Sequence, residues 1–290
     1  YQGTYFDALN NATTDDLKAY VKYLAKQPSD SLESWAWRRA YREPDFYNDI
    51  IGTRLLAQAR FADAVPFLEK VSVAFLNNQN IAPYAAQRSY AKDRWMGKQA
   101  VAQPEYLTEE RRAVLPKLQE NKKLSYCRDM LNLLSQYSLM KPSEERMRKA
   151  YELASMWYQG SWEGDCWWLT QYGVSVMQDS VMAGTADFVA KAMSLLDESA
   201  QSTDFKLKEK SLYALAFIRH GEPWFFEGWD DATQQYYDIS NLKPLPQSRQ
   251  YKALAALSSF CSANAGKTDL FVSRCDVLRR FRDACQIQRR

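Results

Sequence analysis

Apolar side chains recur at every third or fourth position along most of this 290-residue chain. That spacing restricts it to helices that bury one face against a neighbour. Alternation with period two is scarce, and only 10 Gly and 10 Pro punctuate the sequence. The expected fold is therefore all-α.

The helix boundaries follow from local chemistry. Thr14-Asp15-Asp16 caps a helix running to about Gln27, with Leu17, Tyr20, Val21 and Leu24 on one face. Asp30, with Glu33 three residues later, has the form of a capping box and opens a helix carrying Leu32, Trp35, Ala36 and Arg39. Pro44 starts the next element. There Tyr47, Ile50, Ile51, Leu55 and Ala59 form one stripe. A turn at Arg60-Phe61-Ala62 leads to a second helix with Ala64, Leu68, Val71 and Phe75, and Pro66 lies in its first turn. So short a turn makes the pair antiparallel.

Residues 77–106 read as polar and irregular, with a short helix from Pro83 to Met96. Further helices are expected from Thr108 to Tyr137, Pro142 to Tyr158, Asp165 to Gln178, Asp187 to Ser199, Phe205 to Arg219, Ser248 to Cys261 and Asp269 to Ala284. His220 to Pro246 is a long aromatic loop, and loops of that length often carry function.

The run from Ile51-Gly52 through Leu55, Ala59, Phe61, Ala64, Leu68 and Val71 resembles the tetratricopeptide repeat, with small residues where its helices touch. Leu76 stands where that repeat closes on Pro. One such repeat covers about 34 residues. Ala154 lies 102 positions after Gly52, with no convincing repeat between them. The resemblance implies a degenerate α-solenoid of antiparallel hairpins across residues 1–290, and the polar stretch near 100–108 is where it would divide.

The stretches Leu76 to Tyr84, Gly164 to Trp167 and Cys275 to Phe281 are similar to a group of uncharacterised exported proteins of Gram-negative gut anaerobes. That similarity implies a cell-envelope location and a longer parent chain, and it implies no activity. The opening Tyr1-Gln2-Gly3, without Met or an apolar leader, agrees with a processed product or an excised segment. The longest apolar run, Leu212 to Ile218, is far shorter than a membrane span.

The net charge of +3 exerts no general pull on nucleic acid. From Arg274 to Arg290, six Arg face Asp276 and Asp283, a local excess best explained as cations at the end of a helix. Five widely spaced Cys read as buried thiols rather than a disulfide framework.

The nearest approach to catalytic chemistry is Gln159-Gly160-Ser161-Trp162-Glu163-Gly164-Asp165-Cys166-Trp167. It resembles the order of residues around the nucleophile of papain-like proteases, in which a Gln binds the oxyanion and a Cys opens a helix. Glu163 replaces that family's extra Cys, and Gln159 lies one residue too far upstream. The single histidine, His220, comes only 54 positions later, against about 130–150 in that family. One histidine and no Cys-x-x-Cys pair argue against a zinc site, and no Gly-rich loop suits a phosphate. No cofactor or metal is expected. Glu163 with Asp165, or Glu222 and Glu227 with Asp230 and Asp231, provides carboxylates for a hydrolase, although acidic residues in turns are normally caps.

Binding without chemistry is the stronger expectation. Trp157, Tyr158, Trp162, Trp167, Trp168 and Tyr172 cluster in one stretch, and Trp224, Phe225, Phe226 and Trp229 crowd the long loop. Exposed rings of this kind anchor a protein partner or stack on sugar rings. Starch-binding outer-membrane lipoproteins are also built on tetratricopeptide hairpins, but none of their motifs occurs here. The expected function is a non-catalytic protein-interaction scaffold with contact residues Trp224, Phe225, Phe226, Trp229, Trp162 and Trp168. Carbohydrate binding is the alternative, and hydrolysis the more distant one.

Overall fold

A computed structural model describes residues 2–95, 97, 108–171, 184–218, 229–230, 235–236, 248–269, 272 and 275–287. These residues are overwhelmingly helical. Two compact units are interleaved in sequence, residues 1–136 with 159–188 and residues 137–158 with 189–290.

The first unit opens with α1 (Gln2–Asn11), α2 (Thr14–Leu24) and α3 (Ser31–Arg39). Thr13 caps α2 one residue earlier than expected. Its hydroxyl accepts the Asp16 N–H at 3.1 Å, and Asp16 Oδ2 accepts the Thr13 N–H at 3.2 Å. α4 (Pro44–Ala57) lies at the centre, with Ile50, Ile51, Leu55 and Leu56 all out of contact with water. A helix apolar on several sides must be surrounded, and α4 is. On one side Tyr47 joins a chain of hydroxyls, 3.1 Å from Tyr5, which is itself 3.1 Å from Tyr20.

α5 (Phe61–Leu68) returns antiparallel to α4. The turn falls at Gln58–Arg60, two residues earlier than its sequence signal, because Ala59 adopts a left-handed conformation with φ of 59°. Its N–H bonds to Leu56 O at 2.8 Å, and the Arg60 N–H bonds to Leu55 O at 2.9 Å, closing a Schellman motif. Gly52 then approaches α5 so closely that an added Cβ would stand 2.7 Å from Leu68 Cγ. The expected second helix of this hairpin ends at Leu68 instead of reaching Phe75. Ser72 caps a separate α6 (Val73–Asn77) and donates its own N–H to Asp45 Oδ2 at 3.1 Å. α7 (Ala82–Ala86), α8 (Glu109–Ala113) and most of α9 (Lys122–Leu139) complete this unit, together with the segment after Gln159.

The second unit contains α10 (Glu144–Gln159) up to Tyr158, then α11 (Phe188–Ser199) from Val189, α12 (Phe205–Phe217), α13 (Arg249–Ala263) and α14 (Asp276–Ile287). Ala216, Leu254, Leu257, Cys261, Val272, Leu278 and Phe281 form a continuous core. The basic C-terminal stretch therefore includes an amphipathic helix whose apolar side is covered. Arg282 Nε donates to Ser258 Oγ at 2.9 Å. Among the described residues the strands are limited to β1 (Trp229–Asp230) and β2 (Gln235–Tyr236), antiparallel with Trp229 opposite Tyr236. No helix among the described residues is long and apolar enough to cross a membrane.

Candidate functional site

The run that looks most like an active site, Gln159 to Trp167, folds into a compact turn of the first unit. Gly160 permits it, since a Cβ there would meet Tyr126 Oη at 2.7 Å. Backbone bonds then fold the segment on itself. The Cys166 N–H reaches Gln159 O at 3.0 Å, Gly164 N–H reaches Ser161 O at 3.1 Å, and Trp167 N–H reaches Gly164 O at 3.2 Å. The helix expected from Asp165 to Gln178 is absent at its start. A three-residue 3-10 turn, Trp167–Leu169, stands there, and residues 172–178 lie outside the described set.

The reason is long-range. Tyr84, on α7, donates its hydroxyl to Asp165 Oδ1 at 2.7 Å, and Arg88 Nε lies 3.1 Å from both carboxylate oxygens. The Arg94 guanidinium is 3.8 Å from Oδ2. The Arg88 guanidinium also lies over the Tyr84 ring, 4.4 Å from its centroid. Asp165 is buried and its charge is spent on this cluster, so it joins α7 to the turn instead of capping a helix. Burial, reinforced by the bond to Asp165, pushes the Tyr84 hydroxyl up to about 12.

Lys122 Nζ sits beside this cluster and donates to Ala85 O at 2.7 Å, Ala86 O at 3.1 Å and Arg88 O at 2.6 Å. It caps the carbonyl end of α7. Gln159, the residue in the position of an oxyanion donor, gives its side-chain N–H to the Arg94 carbonyl.

Cys166 is wholly buried. Burial raises its thiol to about 12, the neighbouring Asp165 adds to the rise, and Lys122, Arg88 and Arg94 oppose it too weakly to matter. A nucleophilic thiol requires the opposite shift. His220, its supposed partner, lies outside the described residues.

The aromatic candidates divide in the same way. Trp168 is 5% exposed, with Trp167 still more deeply buried, which leaves little of either ring to a ligand. Trp162 is half-buried. Trp157 and Tyr158 are buried on α10, where Lys191 Nζ approaches the Trp157 ring to 5.3 Å. Trp224, Phe225, Phe226, Tyr172, Glu222, Glu227 and Asp231 lie outside the described residues. Trp229 and Asp230 are described only as backbone of β1. Of the paired carboxylates this leaves Glu163, half-buried, and Asp165, already engaged. Among the described residues no three His, Cys, Asp or Glu side chains converge as metal ligands would.

An exposed apolar stripe lies elsewhere, on α3. None of its nine residues is buried. Leu32 is 73% exposed and Trp35 52%, with Ala36 and Arg39 also facing water. The periodic stripe is thus on the outside. α3 is held from its other side, where Trp37 Nε1 donates to Leu24 O at 3.0 Å. The periodicity marks these four residues as sharing a face, but it does not say that the face is uncovered.

No protein-family model, curated protein or solved structure matches this chain.

Proposed function

We propose that the chain is a non-catalytic protein-interaction scaffold of tetratricopeptide-like helical hairpins, and one segment of a larger cell-envelope protein. One observation carries the reading: α3 presents its only apolar stripe, Leu32, Trp35 and Ala36, to solvent. A helix normally turns such a stripe towards a core, so an uncovered one is a surface for a partner. The α4–α5 pair supports the repeat-like architecture, through its short turn and the contact of Gly52 with Leu68. Buried Cys166 and engaged Asp165 make Gln159 to Trp167 a packing element.

For carbohydrate stacking, Trp35 is the most exposed ring, ahead of Tyr23 and Tyr41, among the described residues. The Arg39 guanidinium already lies over that ring, 4.3 Å from its centroid, and Leu32 beside it offers nothing to a sugar. A protein partner uses both.

The test is photo-crosslinking in cells that make the protein, with benzoylphenylalanine replacing Leu32, Trp224 or Trp229 in separate variants, and Val114, 81% exposed, as control. Adducts to another polypeptide are expected from Leu32 and not from Val114. Their absence from Leu32, Trp224 and Trp229 alike would end the scaffold reading. Fractionation of envelope from cytoplasm tests the location separately.

A further inference from the structure

We infer that the outward face of α3 is a socket for one acidic amphipathic helix of a partner protein. The inference rests on the scaffold reading and adds the chemistry of what binds. Leu32, Trp35, Ala36 and Arg39 occupy positions i, i+3, i+4 and i+7. Four residues at that spacing form the hole that receives a single side chain from a facing helix. Ala36 is its floor, small enough to admit a leucine-sized knob, and Leu32 and Trp35 are its apolar walls.

The socket is preformed. Asp30 Oδ1 accepts the Glu33 N–H at 2.7 Å, Glu33 Oε2 accepts both the N–H and the hydroxyl of Ser29 at 2.7 Å, and Trp37 ties the helix to Leu24. A partner therefore orders little on binding.

Its rim is cationic and unneutralised. Arg38, Arg39 and Arg42 are all exposed, and among the described residues none forms an ion pair. Arg39 lies over Trp35, and Arg42 lies 3.8 Å from the Trp37 ring centroid. The nearby carboxylates of Asp30 and Glu33 are occupied as caps. Apolar centre and basic rim together complement a helix with leucine on one stripe and glutamate beside it. A second copy docked by the same face would set Arg against Arg.

The test uses the purified full chain and a fluorescein-labelled helical peptide of about three heptads, with Leu at the a and d positions and Glu at e and g. A twin carries Lys in place of Glu. By fluorescence anisotropy the Glu peptide is expected to bind at least about tenfold more tightly than the Lys twin, and to weaken as salt screens the charges. Leu32→Ser is expected to lower its affinity about tenfold, and Arg38→Glu with Arg39→Glu to reverse the preference between the peptides. Circular dichroism establishes that each variant is folded, and the comparison of the two peptides needs no variant.

No binding, or equal binding of both peptides, overturns the inference. So does tight binding of polygalacturonate or of phosphatidylglycerol vesicles in place of the peptide, or a concentration-dependent dimer that Leu32→Ser dissolves. If the peptides fail while Leu32 still crosslinks to a polypeptide in cells, the acidic-helix chemistry falls and the scaffold reading stands.

Discussion

Lys123 Nζ lies 2.9 Å from Asp49 Oδ1, and both side chains are shut away from water. Thr53 Oγ1 is 2.7 Å from the same ammonium, and Gln79 Nε2 donates to the other carboxylate oxygen at 2.8 Å. The pair joins α4 to α9 within the first unit. Buried charges of this kind contribute little net stability when intact, yet losing one partner leaves the other without compensation. Asp49→Ala is expected to cost about 3–5 kcal/mol in urea unfolding. Asp49→Leu combined with Lys123→Met is expected to recover most of that loss, because no lone charge is left behind. Equal destabilisation by the single and double variants would show that packing, not charge, is what matters there.

Ala59 pays for its left-handed conformation with a Cβ that crowds the following carbonyl. Glycine removes that contact but makes the unfolded chain freer. The first effect is the larger, so Ala59→Gly is expected to raise stability by about 0.5–1 kcal/mol. Differential scanning calorimetry would register the gain as a higher Tm, and a lower one would contradict the turn geometry.

Burial raises both the Cys127 and Cys166 thiols from 9.0 to about 12. In the unfolded chain they ionise near their ordinary value, so folding retains two protons that the unfolded state releases. The associated stability is fully present below about pH 9 and is lost as pH rises towards 12, at about 1.4 kcal/mol per pH unit for each thiol. With iodoacetamide at pH 8 on native protein, half-buried Cys275 and Cys285 are expected to be alkylated first, and Cys127 and Cys166 only after unfolding. Peptide mapping reads the order directly, and early labelling of Cys166 would reopen the nucleophile reading.

Glu144 has the opposite sign. Its carboxylate accepts the Ser202 hydroxyl, the Thr203 N–H at 2.9 Å and the Thr203 hydroxyl at 2.7 Å, and these bonds, led by Ser202, hold it down at about 2. Stability from this group is present above its ordinary value of 4.5 and disappears as pH falls through about 2. Glu144→Gln is expected to flatten the acid side of the stability curve between those limits. Urea midpoints at a series of pH values test it, and an unchanged slope would count against the contact.

Several helix starts were legible because their decisive bonds span three or four residues. Thr13 with Asp16, Asp30 with Glu33, and Pro44 at the head of α4 all act locally, so the sequence states them within a residue. The end of α5 and the turn at Ala59 were misplaced, because φ at Ala59 and the bond from Ser72 to Asp45, 27 positions away, have no local signature. The helix expected to start at Asp165 was misplaced for the same reason. Nothing near Asp165 announces Tyr84, 81 positions earlier, yet that hydroxyl and Arg88 turn a supposed helix start into a buried junction.

By itself, then, the amino-acid order determined that apolar residues would line up on helices, and which of them would share a face. Which faces meet is a property of the assembled chain. Ile51 and Leu55 on α4 and Leu32 and Trp35 on α3 follow the same periodicity, but the first pair is enclosed and the second stands in water. Periodicity is a relation between near neighbours in sequence. Burial depends on what distant segments bring to the other side, and to the stripe of Leu32 and Trp35 the described residues bring no cover.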